Sequence, residues 1–337
     1  AGTFWYHPHV NSVVQLGKGL AGLMVIEEAP GQGFEPSEFG TDLPLALKNW
    51  HLNDDGSFKP LSIPRYAARM GTPGNYETVN GLHKPTFDIA AGQWTRLRFA
   101  NIDNTLVYKL RVKDYPAYIV SIDANPLPKP IPLKEHALGA GMRVDIALKA
   151  PAAGEEIEIQ NGKGRLFFDF VRLRSVDSSL PPAGPMPELP LNPIPEPDLG
   201  NAETLKFVFE WEGAITPADD QGKAKHKFWT INRRAWEGMS ANNIPEPLAR
   251  LELGKTYVFD LKNNTPHHHP IHLHGFMFKV IKSNRRRIDP WFTDTVLMAK
   301  NERVKIAFVA DNPGRWMYHC HVIEHMKTGL MGFIEVS

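Results

Sequence analysis

Three times in this chain two histidines flank a single residue of another kind: His7 and His9, His272 and His274, His319 and His321. Successive side chains on an extended strand point to opposite faces, so each pair shares a face where the backbone is extended. A single histidine on a sheet is an ordinary structural residue. Three such pairs are a device for bringing imidazoles together on a metal, and they demand a fold whose strands converge. The rest of the chain is written in the same period. Trp94–Phe99, Arg250–Leu253, Tyr257–Leu261 and Val304–Val309 alternate apolar and polar residues between turn signals. Twenty-nine prolines and 27 glycines cut the chain into short segments, and only stretches such as Arg65–Met70 suggest helix. The expected class is all-β, built from β-sandwiches.

The only cysteine, Cys320, lies inside the third pair. It has no partner for an internal disulfide, so its thiolate is free for a metal. Thiolate with imidazole suits copper, and two histidines with one cysteine is the blue-copper ligand set. On a strand, His319 and His321 face one way and Cys320 the other. A copper held through sulfur then lies a short covalent path from a second site held by the imidazoles, which suits electron transfer between them. Parity divides the second cluster likewise. His272 and His274 join His319 and His321, while His269, three residues before His272, faces the side of Cys320. His325, returned by the turn after the strand, completes a trigonal set of His269, Cys320 and His325.

Pro181–Pro197 holds eight prolines and reads as an extended strap between two all-β regions. Asn53–Ser57 is a hairpin-like turn. Gly17–Gly22 matches a phosphate-loop spacing, but an apolar strand follows it rather than a helix, so the match carries no weight. The net charge is +1, and the isolated triplet Arg285–Arg287 reads as a solvated turn, so no nucleic-acid partner is expected. No stretch approaches the ~18 apolar residues of a membrane span.

Taken together, His269-Pro270-Ile271-His272-Leu273-His274 and the His319-Cys320-His321 run ending at His325 make this sequence resemble the multicopper oxidases. The likeness covers nearly the whole chain. Gly19–Leu23, Asp294–Val296 and Gly314–Tyr318 are similar to the bacterial three-domain laccases and copper-efflux oxidases. The resemblance implies tandem cupredoxin-like Greek-key β-sandwiches. Residues 1–34 would be the remnant of a first domain, 35–175 a second, 176–200 a Pro-rich linker and 201–337 a third carrying type 1 copper. It implies four coppers in the complete protein. Type 1 copper, on His269, Cys320 and His325, takes electrons singly from a small phenolic or similar reductant, and a trinuclear cluster reduces O₂ to water. By motif, His272 is a type 2 ligand; His7 and His321 belong to one type 3 copper, and His9, His274 and His319 to the other. The reductant is expected near the imidazole edges of His269 or His325.

The sequence departs from the family in three places. A fourth His-x-His motif belongs before the first cluster, so five of six type 3 and one of two type 2 histidines are present. Because a sandwich reduced to its last strands cannot bury its own core, an upstream segment is expected, possibly a separate chain. Leu330, ten residues after Cys320, stands where many relatives carry an axial methionine. A non-coordinating leucine raises the type 1 potential; Met331 is the alternative if the turn shifts by one. Met326 replaces a glutamate that in some relatives feeds protons, and Glu324 is read as a solvated turn carboxylate or a substitute for it. His51, His83, His136, His226, His267 and His268 are ordinary histidines, although His267 and His268 are candidates to line the reductant's approach. Cuprous-ion oxidation is the alternative within the class, disfavoured because methionines are scattered and Ala235–Pro247 holds only Met239. A copper-free scaffold and a type 1 electron carrier are the alternatives outside it. The family places the protein in the bacterial periplasm or exterior; this chain carries no export signal.

Overall fold

The computed structural model describes residues 1–29, 34–212, 227–239 and 244–337, so His226 lies outside the described residues. Two compact units divide the chain, Ala1–Lys59 with Gly74–Pro193, and Pro60–Pro73 with Ile194–Ser337. The first contains β1 (Gly2–Tyr6), α1 (Ser12–Gly17), β2 (Gly22–Ile26), β3 (Thr41–Trp50), β4 (Tyr76–Val79), β5 (Thr86–Ala90), β6 (Trp94–Asn101) and β7 (Tyr108–Val112). It continues through β8 (Tyr118–Ile122), β9 (Asn125–Pro132), β10 (His136–Leu138), β11 (Arg143–Lys149), β12 (Glu156–Lys163) and β13 (Leu166–Val176). Its sheets run β4-β3-β6-β11-β8-β9 and β10-β7-β12-β13-β5, with β1-β2 as a separate hairpin.

The second unit takes α2 (Pro64–Ala67) from the middle of the chain and continues with β14 (Glu203–Trp211), β15 (Trp229–Ile231), β16 (Ala249–Leu251), β17 (Thr256–Asn263), β18 (His269–Leu273) and β19 (Phe278–Ser283). After these come β20 (Phe292–Thr293), β21 (Thr295–Met298), β22 (Arg303–Val309), β23 (Gly314–Cys320), α3 (Ile323–Lys327) and β24 (Met331–Val336). The sheets are β15-β14-β17-β22-β19-β20 and β16-β24-β23-β18-β21. The fold is all-β, as the alternating segments required; Trp94–Phe99, Tyr257–Leu261 and Val304–Val309 lie on strands, and Arg250–Leu253 begins on β16, which ends at Leu251.

Alternation explains the packing. Along β6, Leu97 and Phe99 enter the sandwich core, yet the outward Arg96 and Arg98 are buried as well. The N-terminal segment covers them: Arg96 binds Glu28 at 2.8 Å and Asp145 at 2.6 Å, and Thr3 Oγ1 donates to Asp145 at 2.9 Å. Buried charges are tolerated only when paired in this way. Ser12–Gly17 forms α1, and the chain turns at Lys18 and Gly19 before β2. Gly19 has φ +91° and lies against Trp50, where a Cβ would come within 2.5 Å of the ring.

In the second unit, Phe207, Phe259, Phe278, Phe308 and Tyr318 fill the space between the sheets together with Cys320 and Leu330. Phe207 and Phe259 lie 4.6 Å apart, and Phe259 meets Phe308 edge-on at 5.0 Å. Each such ring contributes about 1.5–3 kcal/mol by leaving water. Cys320 therefore sits in a dry, close-packed setting.

Candidate metal centre

β18 and β23 are neighbours, with Ile271 opposite Cys320 and His272 opposite His319. That register sends His269, Ile271 and Cys320 to the core face and His272 and His319 to the other, as parity required. The next turn of chain is α3, a single short helix that carries His325 back to the core side. His269, Cys320 and His325 are all fully buried. Cys320 Sγ lies 3.5 Å from His269 Nδ1 and 3.6 Å from His325 Nδ1, and the two nitrogens are 3.1 Å apart.

The outer nitrogens fix which ring atoms carry protons. His325 Nε2 donates to the Arg69 carbonyl at 2.8 Å. Thr265 Oγ1 places its hydrogen on Asn263 Oδ1 at 2.8 Å, so it accepts from His269 Nε2, also at 2.8 Å. In neutral rings both Nδ1 atoms then carry lone pairs. Two lone pairs 3.1 Å apart beside a sulfur are mutually repulsive until a cation lies among them. Burial pushes the Cys320 thiol up, pushes His325 down to about 3, and holds His269 well below its usual range, helped by His325, His267 and His268. Neutral imidazoles and a thiol that only a metal would deprotonate fit copper with the donor set this chain supplies.

On the opposite face His272 meets His274 and His319 with ring centroids 4.7 and 5.6 Å away, and His321 at 5.7 Å. His274 Nε2 and His319 Nε2 are 3.0 Å apart. His272 Nδ1 donates to the Asp294 carbonyl at 2.9 Å, and His319 Nδ1 to the Cys320 carbonyl at 2.9 Å, which turns both Nε2 atoms outward as acceptors. Carbonyl partners of this kind orient metal-binding histidines. In the first unit His7 stacks on Trp5 at 3.9 Å and meets His9 at 5.0 Å, just past the end of β1. All three pairs thus sit where a strand ends and the chain turns.

Register separates Leu330 from Met331. Met331 lies opposite His319, on the face away from the sulfur, whereas Leu330 is fully buried in the core with Cys320 and accepts its N–H at 3.0 Å. One expectation is corrected. Glu324 is not solvated: it is fully buried in α3, and its carboxylate receives both the backbone N–H and the hydroxyl of Thr72, the latter at 2.7 Å. The outer nitrogens of His269 and His325 are covered by Thr265 and by the Arg69 carbonyl. The helix expected within Arg65–Met70 is α2, Pro64–Ala67, but nothing in the text of Pro60–Pro73 announces that it packs with Ile194–Ser337. Trp229 was also missed. It is fully buried, lies 4.4 Å from His325 and 5.0 Å from His269, and donates to the Ala67 carbonyl at 2.9 Å.

A β-sandwich with a buried thiol and two converging imidazoles between its sheets is a cupredoxin-like frame carrying a donor set that suits copper. Comparison narrows the class. The family model described as multicopper oxidase matches residues 216–337. The crystal structure of a multicopper oxidase from Pseudomonas thermotolerans superposes with a TM-score of 0.87 at 45% identity, over 100% of this chain and 76% of that one. The multicopper oxidase mco of Staphylococcus aureus is 27% identical over 100% of this chain and 68% of its own length. The cell division protein FtsP of Xenorhabdus nematophila is 23% identical over 100% of this chain and 70% of its length. The chain belongs to the multicopper oxidase family, and membership implies a copper oxidoreductase.

Proposed function

We propose that the protein is a laccase-like oxidase that couples four one-electron oxidations of a phenolic or similar reductant to reduction of O₂ to water. The observation that carries this reading is the dry triad of His269, Cys320 and His325 with its lone pairs turned inward. Copper, when bound, supplies the one-electron and oxygen chemistry. The chain supplies position. Thr265 and the Arg69 carbonyl hold the two type 1 rings by their outer nitrogens, and the packed core excludes water. The Cys320 backbone links the two faces of β23, and its carbonyl accepts from His319 Nδ1, so a hydrogen bond runs beside the covalent path.

In this reading His272 is the type 2 ligand, His7 and His321 serve one type 3 copper, and His9, His274 and His319 the other. Residues 1–34, 35–175 and 201–337 correspond to parts of three cupredoxin domains. The compartment is the periplasm or the exterior; no helix among the described residues is long and apolar enough to cross a membrane. Copper analysis with O₂ uptake on a phenol tests the function. Four coppers per protein with uptake is the expected result. One copper without uptake would make the chain an electron carrier, and none would make it a scaffold. Faster turnover of cuprous ion than of any phenol would move it to the metal-oxidising branch.

A further inference from the structure

A reductant cannot touch either type 1 imidazole directly, since His269 and His325 are fully buried. What lies over His325 is the backbone of Arg69. This stretch is firmly seated. Ala67 and Ala68 belong to the core of the second sandwich, the Ala67 carbonyl receives the Trp229 indole N–H, and Thr72 is bound twice by the buried Glu324 carboxylate. Between those anchors Arg69 and Met70 are exposed, Met70 at 69%. Arg65 and Tyr66, one turn earlier, hold each other through a 2.8 Å hydrogen bond. The segment is itself cationic, with Arg65 and Arg69 both exposed. His267 lies near it, its ring 5.8 Å from Trp229. Glu324, the acidic group hydrogen-bonded to Thr72, is buried beneath the segment.

We propose that the exposed surface of residues 65–70, centred on Arg69, is the docking site for the reductant. It takes an anionic donor, and the electron reaches the centre through the Arg69 carbonyl and the His325 ring. The proposal rests on the type 1 reading of His269, Cys320 and His325, and not on the oxygen site. In the step itself one electron leaves the donor, which is oxidised by one unit, and bound copper(II) is reduced by one unit; no proton moves. A hydrogen bond to a peptide carbonyl is a short, fixed contact, and a cationic rim raises the local concentration of anions.

The test is anaerobic mixing of the copper-loaded protein with hexacyanoferrate(II), an anion, or hexaammineruthenium(II), a cation, following loss of the blue absorption. Arg69→Glu is expected to slow the anion about tenfold at low ionic strength, to speed the cation, and to lose both effects in concentrated salt. Arg69→Gln should fall between. Unchanged rates, or equal slowing of both donors, would overturn the proposal. Absence of any blue band would instead sink the type 1 reading. In copper-free, ¹⁵N-labelled protein the His325 Nε2–H should be protected from exchange, less so in Thr72→Val, and restored in Thr72→Ser. Free exchange in the unmodified protein would remove the contact on which the proposal depends.

Discussion

The two sandwiches share one plan but not one chemistry. Strand for strand, β4-β3-β6-β11-β8-β9 corresponds to β15-β14-β17-β22-β19-β20, and β10-β7-β12-β13-β5 to β21-β18-β23-β24-β16. Even the exceptions to antiparallel pairing coincide: β3 with β6 and β5 with β13 in one, β14 with β17 and β16 with β24 in the other. The registers therefore identify equivalent positions. Leu110 faces Asn161 where Ile271 faces Cys320, and Arg111 faces Gln160 where His272 faces His319. Tyr108 pairs with Leu138 as His269 pairs with Met298. Tyr108 and Asn161 thus occupy the places of His269 and Cys320, and an Arg111–Gln160 hydrogen bond of 2.9 Å stands in for the imidazoles outside. His325 has no counterpart. β12 returns to β13 through a tight hairpin with Lys163 opposite Leu166, whereas residues 321–330 insert α3 and His325 between β23 and β24. The frame is indifferent to metal; a handful of side chains and one helical turn decide it.

The sharpest way to break the comparison is to remove the thiolate. Cys320→Ser is expected to abolish the blue band and one copper per protein, while Asn161→Ser at the equivalent place changes neither; visible absorption and copper analysis check both. Next in size, Tyr108→Ala should destabilise the first sandwich by about 3–5 kcal/mol, because it empties a fully buried site that packs on Phe170. Denaturant unfolding would show the loss, with the blue band intact in the folded fraction. Leu330→Met is expected to lower the type 1 potential by adding an axial thioether, read by redox titration, with no change in copper content. The smallest effect belongs to the charge network of the first unit. Burial alone would raise the Glu28 carboxyl, but the charge and hydrogen bond of Arg96, with Arg98, outweigh it and hold the group below its usual range. A depressed carboxyl contributes stability above its unfolded value of about 4.3 that is lost as pH falls through the folded value. Glu28→Gln should therefore flatten the acid limb of the stability curve, measured by thermal unfolding from pH 7 down to pH 3. An unchanged slope would show that the pair is not coupled to folding.

The sequence made the division of faces legible because parity on a strand is a strict rule. His269 and Cys320 share a face, and His272 and His319 the other, for the same reason that Leu97 and Phe99 point inward. The alternating segments likewise revealed the strands. Local pattern could not reveal what depends on distant partners. Glu324 looks like a solvated carboxylate within a turn until Thr72, 252 residues earlier, is seen to bind it. Arg69 closes His325 through a backbone carbonyl, an atom that every residue possesses and no motif can advertise. The helix at Ser12–Gly17 was hidden by its own composition, short and ending on glycine.

Because Pro60–Pro73 belongs with Ile194–Ser337, the chain passes between its two units at three places, after residues 59, 73 and 193. The second sandwich is consequently not a detachable module. A gene fragment beginning at Ile194 would encode His269, Cys320 and His325, yet lack the Ala67, Arg69 and Thr72 groups that seat Trp229, His325 and Glu324. During synthesis those three residues emerge long before the groups they serve. Recombination that shuffles such sandwiches as whole cassettes would have to carry fourteen residues from inside the preceding one.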